Sequence, residues 1–219
     1  MKVVGQSGCV QVNGPREVHR GPGAVPTGFS LVEMLITLTL MLILWTMMWG
    51  FGSANRQRAE KKACQQNLSK IYLALEIYAN DFGGRFPETN GARTSEESLY
   101  VLVPRYTADT SIFICPGGRG DPALPEGESF RNRKISYAYY LGVHPNEALA
   151  ALMSDRQVNT LAKKVDDFAF STNGKPPGNN HHKYGGNFLF ADGRMEMTPP
   201  RVPFSLAITQ GVVLLNPRP

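Results

Sequence analysis

The chain has 219 residues, which predicts one domain or a little more, and 42% of them are hydrophobic. Its formal net charge is +5, but residues 1–28 carry +2 of it, so bulk charge gives weak support for a nucleic-acid partner. The 22 glycines and 16 prolines favour a loop-rich domain over a helical bundle.

An apolar run without charged residues extends from Met34 to Asn55 and is the first strong feature of the chain. About 20 such residues in a helix span the roughly 30 Å hydrocarbon core of a bilayer. We therefore expect a transmembrane helix over residues 29–52. An ordinary signal peptide is the alternative, but the run is longer than a typical signal-peptide core, and no clean small-x-small cleavage site leads out of it.

Glu33 is the ionisable residue at the head of this run. A charged side chain at the centre of a membrane helix costs about 2.5–3.5 kcal/mol, so such a residue is a functional candidate by default. The structural alternative is that Glu33 lies near one membrane face and extends into the interface at little cost.

The segment Gly28-Phe29-Ser30-Leu31-Val32-Glu33, followed by an apolar helix, closely resembles the processing site of type IV prepilins and type II secretion pseudopilins. The resemblance implies a leader peptide over residues 1–28, cut by prepilin peptidase between Gly28 and Phe29, and methylation of the new amino group of Phe29. It also implies that Glu33 attracts the N-terminal amine of a neighbouring subunit during assembly. Opposite charges attract more strongly in a low dielectric, which agrees with that role.

The same resemblance implies the partners and the location of the protein. The partners would be the prepilin peptidase, other pilin or pseudopilin subunits, an inner-membrane assembly platform and membrane lipid. The chain would cross the bacterial inner membrane once, with a cytoplasmic leader and an extracytoplasmic C-terminal head. After assembly it would be part of a periplasmic or extracellular filament.

An amphipathic continuation of the helix is predicted over residues 53–84. Apolar side chains recur there at three- and four-residue steps, namely Cys64, Leu68, Ile71, Tyr72, Leu75, Tyr78 and Phe82. Gly83-Gly84 is a typical helix end. The stretch from Tyr78 to Pro87 also resembles the end of the long helix in major pseudopilins.

The remaining residues, 85–219, are predicted to form the head as a short helix followed by strands. The predicted elements are a helix over Leu99–Tyr106 and strands over Ser111–Cys115, Ile135–Leu141, Asp167–Ser171 and Phe188–Met197. The last of these is a hairpin with Asp192-Gly193 at its turn. The expected fold is therefore α+β and pilin-like, with a long N-terminal helix, transmembrane and then amphipathic, packed on a small antiparallel sheet.

A second motif covers residues 182–193, where His182 is followed after nine residues by Asp192-Gly193. It is similar to the H-X9-DG signature of pilin-like proteins from planctomycete- and verrucomicrobia-type bacteria, which assigns no role to these residues. Asp192 and Gly193 suit a tight turn, and we expect His182 to hydrogen-bond back to that turn.

Metal binding and catalysis are the two alternatives for this motif. Because His181 and His182 are adjacent, they would point to opposite faces of an extended chain and could not easily bind the same metal ion. Asp166, Asp167 and Asp192 lack the spacing of a calcium loop. No metal or cofactor is predicted.

The cysteines predict a disulfide. Cys9 lies in the leader, which leaves Cys64 and Cys115 as an even pair in a domain expected to face an oxidising compartment. Two buried free thiols are the alternative. No Cys-x-x-Cys, Gly-x-Ser-x-Gly or His-Glu-x-x-His motif is present in the sequence.

The favoured function is a structural, non-enzymatic pilin or pseudopilin subunit. The alternative is a single-pass membrane protein whose head binds a ligand or catalyses a reaction at the His182/Asp192 region. A DNA-binding minor pilin is a lesser alternative, because the basic residues Arg131, Arg133 and Lys134 are more typical of a solvated turn.

Overall fold

The computed structural model describes residues 28–118 and 120–219, without the side chains of residues 49–54. The chain divides into two compact units, Met1–Met48 and Trp49–Pro219, and each is described by itself. From here on, the head means the second unit, Trp49–Pro219. The predicted leader, apart from Gly28, and Cys9 within it lie outside the described residues.

Helix α1 comprises Leu31–Asp81. At its start the carbonyl oxygen of Ser30 accepts hydrogen bonds from the N–H groups of Glu33 and Met34, at 2.9 and 3.1 Å. At its end Gly83 and Gly84 have φ angles of +65° and +75°, which glycine adopts without a steric penalty. The sequence correctly predicts this helix end.

In the first unit, α1 exposes its apolar side chains throughout. The 18 residues Leu31–Met48 are long and apolar enough to cross a membrane, a criterion that a signal sequence near an N-terminus can also meet. The hydroxyls of Thr37 and Thr46 donate to carbonyl oxygens of their own helix, of Met34 at 3.0 Å and of Ile43 at 2.8 Å. These polar groups are thus satisfied without water, which the interior of a bilayer requires.

The second unit contains a 5-stranded antiparallel sheet with the strand order β4-β3-β2-β1-β5. The strands are β1 Tyr137–Leu141, β2 Ala151–Asp155, β3 Gly186–Phe190, β4 Met195–Thr198 and β5 Val213–Leu215. The prediction of an α+β chain with a small antiparallel sheet is confirmed. The predicted strand at 135–141 and the predicted hairpin correspond to β1 and to β3–β4.

The segment before the sheet is helical rather than extended. Helix α2, Glu96–Leu99, is followed by short 3₁₀ helices at Tyr100–Leu102 and Thr110–Phe113. The predicted strand over Ser111–Cys115 is therefore wrong. The physical reason is the Asp109 carboxylate, which accepts the N–H of Ser111 at 3.1 Å and caps the second 3₁₀ helix.

The predicted strand over Asp167–Ser171 is also wrong. Only a single bridge, between Phe168 and Arg201, forms there among the described residues. The facing segment carries Pro199 and Pro200, which have no N–H to donate, so a ladder cannot continue. Strands β2 and β5 were not predicted.

The apolar face of α1 within the second unit belongs to the same hydrophobic core as the sheet. Cys64, Leu68, Ile71 and Leu75 are fully buried. The predicted face is thus correct along most of its length, but Phe82 at its end is 45% exposed.

Both edges of the sheet are short and adjoin proline. Edge strand β4 has four residues and precedes Pro199-Pro200, and edge strand β5 has three and precedes Asn216-Pro217.

Candidate functional site

The predicted processing residues lie at the start of α1. Phe29 is 78% exposed. A Cβ added to Gly28 would have no atom within 4 Å, so an alanine fits there. Glu33 lies in the first turn of α1, where a carboxylate interacts favourably with the helix dipole.

Ser30 and Glu33 also have the spacing of a capping box, Ser-x-x-Glu, which the sequence reasoning missed. Within the described residues, neither side chain makes a capping hydrogen bond, although Ser30 precedes the first turn. The local role that the structure does give Glu33 is therefore the interaction of its charge with the helix dipole, beside the role that the family resemblance implies.

A disulfide joins Cys64 of α1 to Cys115, which follows the second 3₁₀ helix. The two Cα atoms are 5.3 Å apart, within the usual range for a disulfide. Both cysteines are buried. The bond ties α1 to a loop 51 residues later in the chain.

A fully buried Asp155–His181 pair adjoins this disulfide. Asp155 ends strand β2, and the His181 Nε2 atom lies 3.2 Å from its Oδ2 atom. The same Nε2 atom lies 3.5 Å from the Sγ atom of Cys115. Both residues are 0% exposed. The structure thus brings together a sulfur pair, an imidazole and a carboxylate in the core.

Two asparagines hold the Asp155 carboxylate in place. Asn180 donates from Nδ2 to Oδ1 at 3.0 Å, and Asn187 donates to Oδ2 from its backbone N–H at 2.7 Å and from Nδ2 at 3.0 Å. Burial alone would raise the pKa of Asp155, but His181 and these hydrogen bonds outweigh it, so the pKa lies below its ordinary value.

Lys61 of α1 lies beside this cluster. Its ammonium group donates to the carbonyl oxygens of Thr198 at 2.6 Å and of Tyr184 at 3.1 Å. Its own carbonyl oxygen accepts the side-chain amide of Asn187 at 3.0 Å. Burial lowers the pKa of Lys61, and the Asp155 charge opposes that shift. Lys61 therefore places a positive charge close to the buried carboxylate.

The loop that carries Cys115 is fixed by a second polar chain. The Cys115 N–H donates to the Ser136 hydroxyl at 2.8 Å, and that hydroxyl donates to the Asp121 carboxylate at 2.6 Å. Lys134 and Arg156 each lie 3.4 Å from the other oxygen of Asp121. This network of hydrogen bonds and ion pairs fixes the position of the Cys115 backbone beside His181.

Gly117 lets this loop lie directly against the imidazole. A Cβ at Gly117 would be 2.4 Å from the carbonyl oxygen of Asn180 and 2.8 Å from the His181 Nδ1 atom. Nδ1 is buried and has no hydrogen-bond partner among the described atoms. The ring is thus enclosed on this side without being hydrogen-bonded.

His182 of the H-X9-DG motif does not have the position that was expected for it. His182 has a φ angle of +52°, and its N–H donates to the carbonyl oxygen of Asn179 at 3.0 Å. In the described part of the chain, no hydrogen bond joins His182 to the Asp192-Gly193 turn. The predicted link is therefore not formed, and the neighbouring His181 is the histidine that enters the core.

The Asp192-Gly193 pair lies at the turn of the predicted hairpin, but the turn is not the type I′ turn that the pair suggests, because Asp192 does not have a positive φ angle. The Asp192 carboxylate accepts the N–H of Arg194 at 2.9 Å, and Gly193 has a φ angle of +82°. The turn packs on α1, because the Tyr72 hydroxyl donates to the Ala191 carbonyl oxygen at 3.1 Å. Burial, followed by the Glu76 charge, raises the pKa of Tyr72 to about 12.

Comparison with known protein families, with curated proteins and with solved structures finds no match to this chain. We therefore infer its function from its own residues and their geometry.

Proposed function

We propose that the chain is a structural subunit of a type IV pilus-like or type II secretion pseudopilus filament, cut between Gly28 and Phe29. The observation that carries the proposal is the position of the Glu33 carboxylate. It lies in the first turn of an exposed apolar helix that begins two residues after Phe29. The proposed subunit is not an enzyme.

The exposed helix supports this proposal. Leu31–Met48 has no buried residue, and an apolar surface of that size needs lipid or other apolar helices around it. The internal hydrogen bonds of Thr37 and Thr46 suit both surroundings. An assembling subunit meets lipid first and neighbouring helices later.

Glu33 supports the proposal by its charge. In a low dielectric, a carboxylate and an amine a few ångströms apart attract several times more strongly than in water. The interaction of Glu33 with the helix dipole also depends on the charge, but it contributes less than about 1 kcal/mol at an exposed site and affects only the stability of α1.

The disulfide also agrees with the proposal. A bond between Cys64 and Cys115 suits a head that works in an oxidising compartment. The alternative, an enzymatic or ligand-binding site at His182 and Asp192, has less support, because the Asp192 carboxylate is engaged by its own turn.

The first experiment is to measure the N-terminus and intact mass of the membrane-extracted chain, with and without prepilin peptidase. We expect a start at methylated Phe29 only when the peptidase is present. Because alanine fits at Gly28, a loss of cleavage in Gly28→Ala would come from the peptidase and not from local misfolding. An intact Met1 start, or cleavage beyond Gly50, would contradict the proposal.

The second experiment tests Glu33 by filament assembly. Glu33→Gln removes the charge with almost no change in side-chain size, whereas the neighbouring change Ser30→Ala keeps the charge and serves as the control. We expect Glu33→Gln to abolish filaments while Ser30→Ala still assembles. Normal assembly of Glu33→Gln would reject the role of the charge.

A further inference from the structure

We propose that the reduced head binds one Zn²⁺ ion through Cys64, Cys115, Asp155 and His181. The same four residues then hold either a disulfide or a metal ion, according to the redox state of the chain. This site is independent of filament assembly.

The positions of the four donors carry the proposal. One ligand atom from each residue lies within 4.8 Å of all the others, and all four residues are buried. With ordinary Zn–S, Zn–N and Zn–O distances, ligand atoms of a tetrahedral site are about 3.3–3.8 Å apart. The His181 Nε2 atom is already 3.2 Å from Asp155 and 3.5 Å from Cys115.

The donor set suits zinc better than calcium or magnesium. Two thiolates and an imidazole are ligands that zinc prefers, whereas calcium and magnesium need mainly oxygen donors. Four protein ligands in a buried position also match a closed structural zinc site rather than a catalytic site with an open position.

The surrounding groups already orient the carboxylate and balance its charge. Asn180 and Asn187 hold Asp155 by three hydrogen bonds, which is the role of the outer residues around a metal ligand. Two thiolates, one carboxylate and Zn²⁺ carry a net charge of −1. The neighbouring ammonium group of Lys61 offsets that charge.

The exchange between the two states begins with reduction of the disulfide. A dithiol reduces the disulfide by two electrons and becomes a disulfide itself, leaving thiols on Cys64 and Cys115. Zinc then displaces one proton from each thiol. The His181 proton that faces Asp155 moves from Nε2 to Nδ1, so Nε2 is free to coordinate the ion and two protons are released in all. In the disulfide state the sulfurs carry no thiolate charge, so zinc is not held.

The test uses the full chain in detergent with the substitution Cys9→Ser, because the sequence has three cysteines. A phosphine, which is converted to its oxide with oxygen from water, reduces the disulfide without adding a competing thiol. Co²⁺ is then titrated as a coloured probe, and Zn²⁺ is used to displace it. We expect one equivalent of Co²⁺ with sulfur-to-cobalt charge-transfer absorption and tetrahedral visible bands.

The oxidised chain is the matched control and should bind neither ion. In the reduced chain, Zn²⁺ should also protect both thiols from alkylation. Absence of Co²⁺ and Zn²⁺ binding by the reduced chain at micromolar concentration would overturn the proposal, as would an octahedral cobalt spectrum without sulfur charge transfer. These measurements keep all four proposed ligands in place, so their outcome does not depend on whether a chain lacking one of the ligands still folds.

His181→Gln and His182→Gln then identify the histidine. We expect His181→Gln to weaken Zn²⁺ binding more than about tenfold. Mutation of a residue that only orients a metal ligand already costs about tenfold or more in affinity, and loss of a ligand should cost more. His182→Gln, one position away, should leave the affinity unchanged. Equal affinity in His181→Gln, or a loss only in His182→Gln, would contradict the assignment.

Discussion

The segment Leu31–Met48 and the head show two different ways in which a sequence determines structure. Every residue of the first is exposed, and the helix is long and apolar enough to cross a membrane. The core of the second joins Cys64, Tyr137 and Phe188, which are far apart in the sequence. The exposed segment therefore depends on surroundings outside the chain, whereas the head depends on contacts within it.

The largest expected effect is on the head, from removal of its disulfide. The double substitution Cys64→Ala and Cys115→Ala removes a cross-link between residues 51 positions apart. The unfolded chain then gains conformational entropy, which lowers the unfolding free energy by about 4 kcal/mol. Chemical unfolding of the full chain, followed by near-ultraviolet circular dichroism, measures the change. Cys9→Ser is the control and should leave the unfolding free energy unchanged.

A smaller effect, of about 3 kcal/mol, is expected for Asp155→Asn, because it removes a buried charge from its partners. The pKa of Asp155 is lower in the folded head than its ordinary value of 3.8. Its stabilisation is therefore complete above the unfolded pKa and is lost as the pH falls through the folded pKa.

The unfolding free energy measured from pH 7 down to pH 2 tests this prediction. We expect the unsubstituted head to lose stability below about pH 4, and Asp155→Asn to show a shallower loss there. Parallel acid profiles of the two chains would contradict a depressed pKa at Asp155.

A comparison of two glycine substitutions separates backbone strain from packing in the head. Gly83 and Gly193 both have positive φ angles, but a Cβ at Gly83 meets no atom within 4 Å, whereas one at Gly193 would be 2.7 Å from the Tyr72 ring. We expect Gly83→Ala to cost about 1–2 kcal/mol. Gly193→Ala should cost more, and equal losses would show that the turn does not press on Tyr72.

The smallest effect is expected in the exposed segment. Leu42 is 61% exposed, so Leu42→Ala should change the unfolding free energy of the head by less than about 0.5 kcal/mol. Leu75 of the same helix is fully buried, and Leu75→Ala should cost about 2–5 kcal/mol. Equal effects in the same unfolding experiment would remove the distinction between the two regions.

The elements that the sequence predicts well have local causes. Gly83-Gly84 ends α1, and Asp192-Gly193 forms the hairpin turn, since backbone conformation selects these residues directly. The central strand β2, Ala151–Asp155, was missed because Ala, Leu and Met favour helices. Its extended form comes from its pairing with β1 and β3 on either side.

The buried cluster shows the same limit for the candidate site. The cysteine pair is evident from the count of cysteines, but nothing local distinguishes His181 from His182. The turn at residues 179–184, with a φ angle of +52° at His182, decides which ring enters the core. The contact with Asp155 then depends on β2, the strand that local patterns did not reveal.

The short edges of the sheet have a consequence for the protein at high concentration. Exposed strand edges invite neighbouring chains to pair with them, and prolines beside short edge strands discourage such pairing. With Pro199 and Pro200 after β4 and Pro217 after β5, growth by strand addition is disfavoured on both sides. Neither edge of the sheet therefore favours growth into the continuous sheets from which amyloid forms.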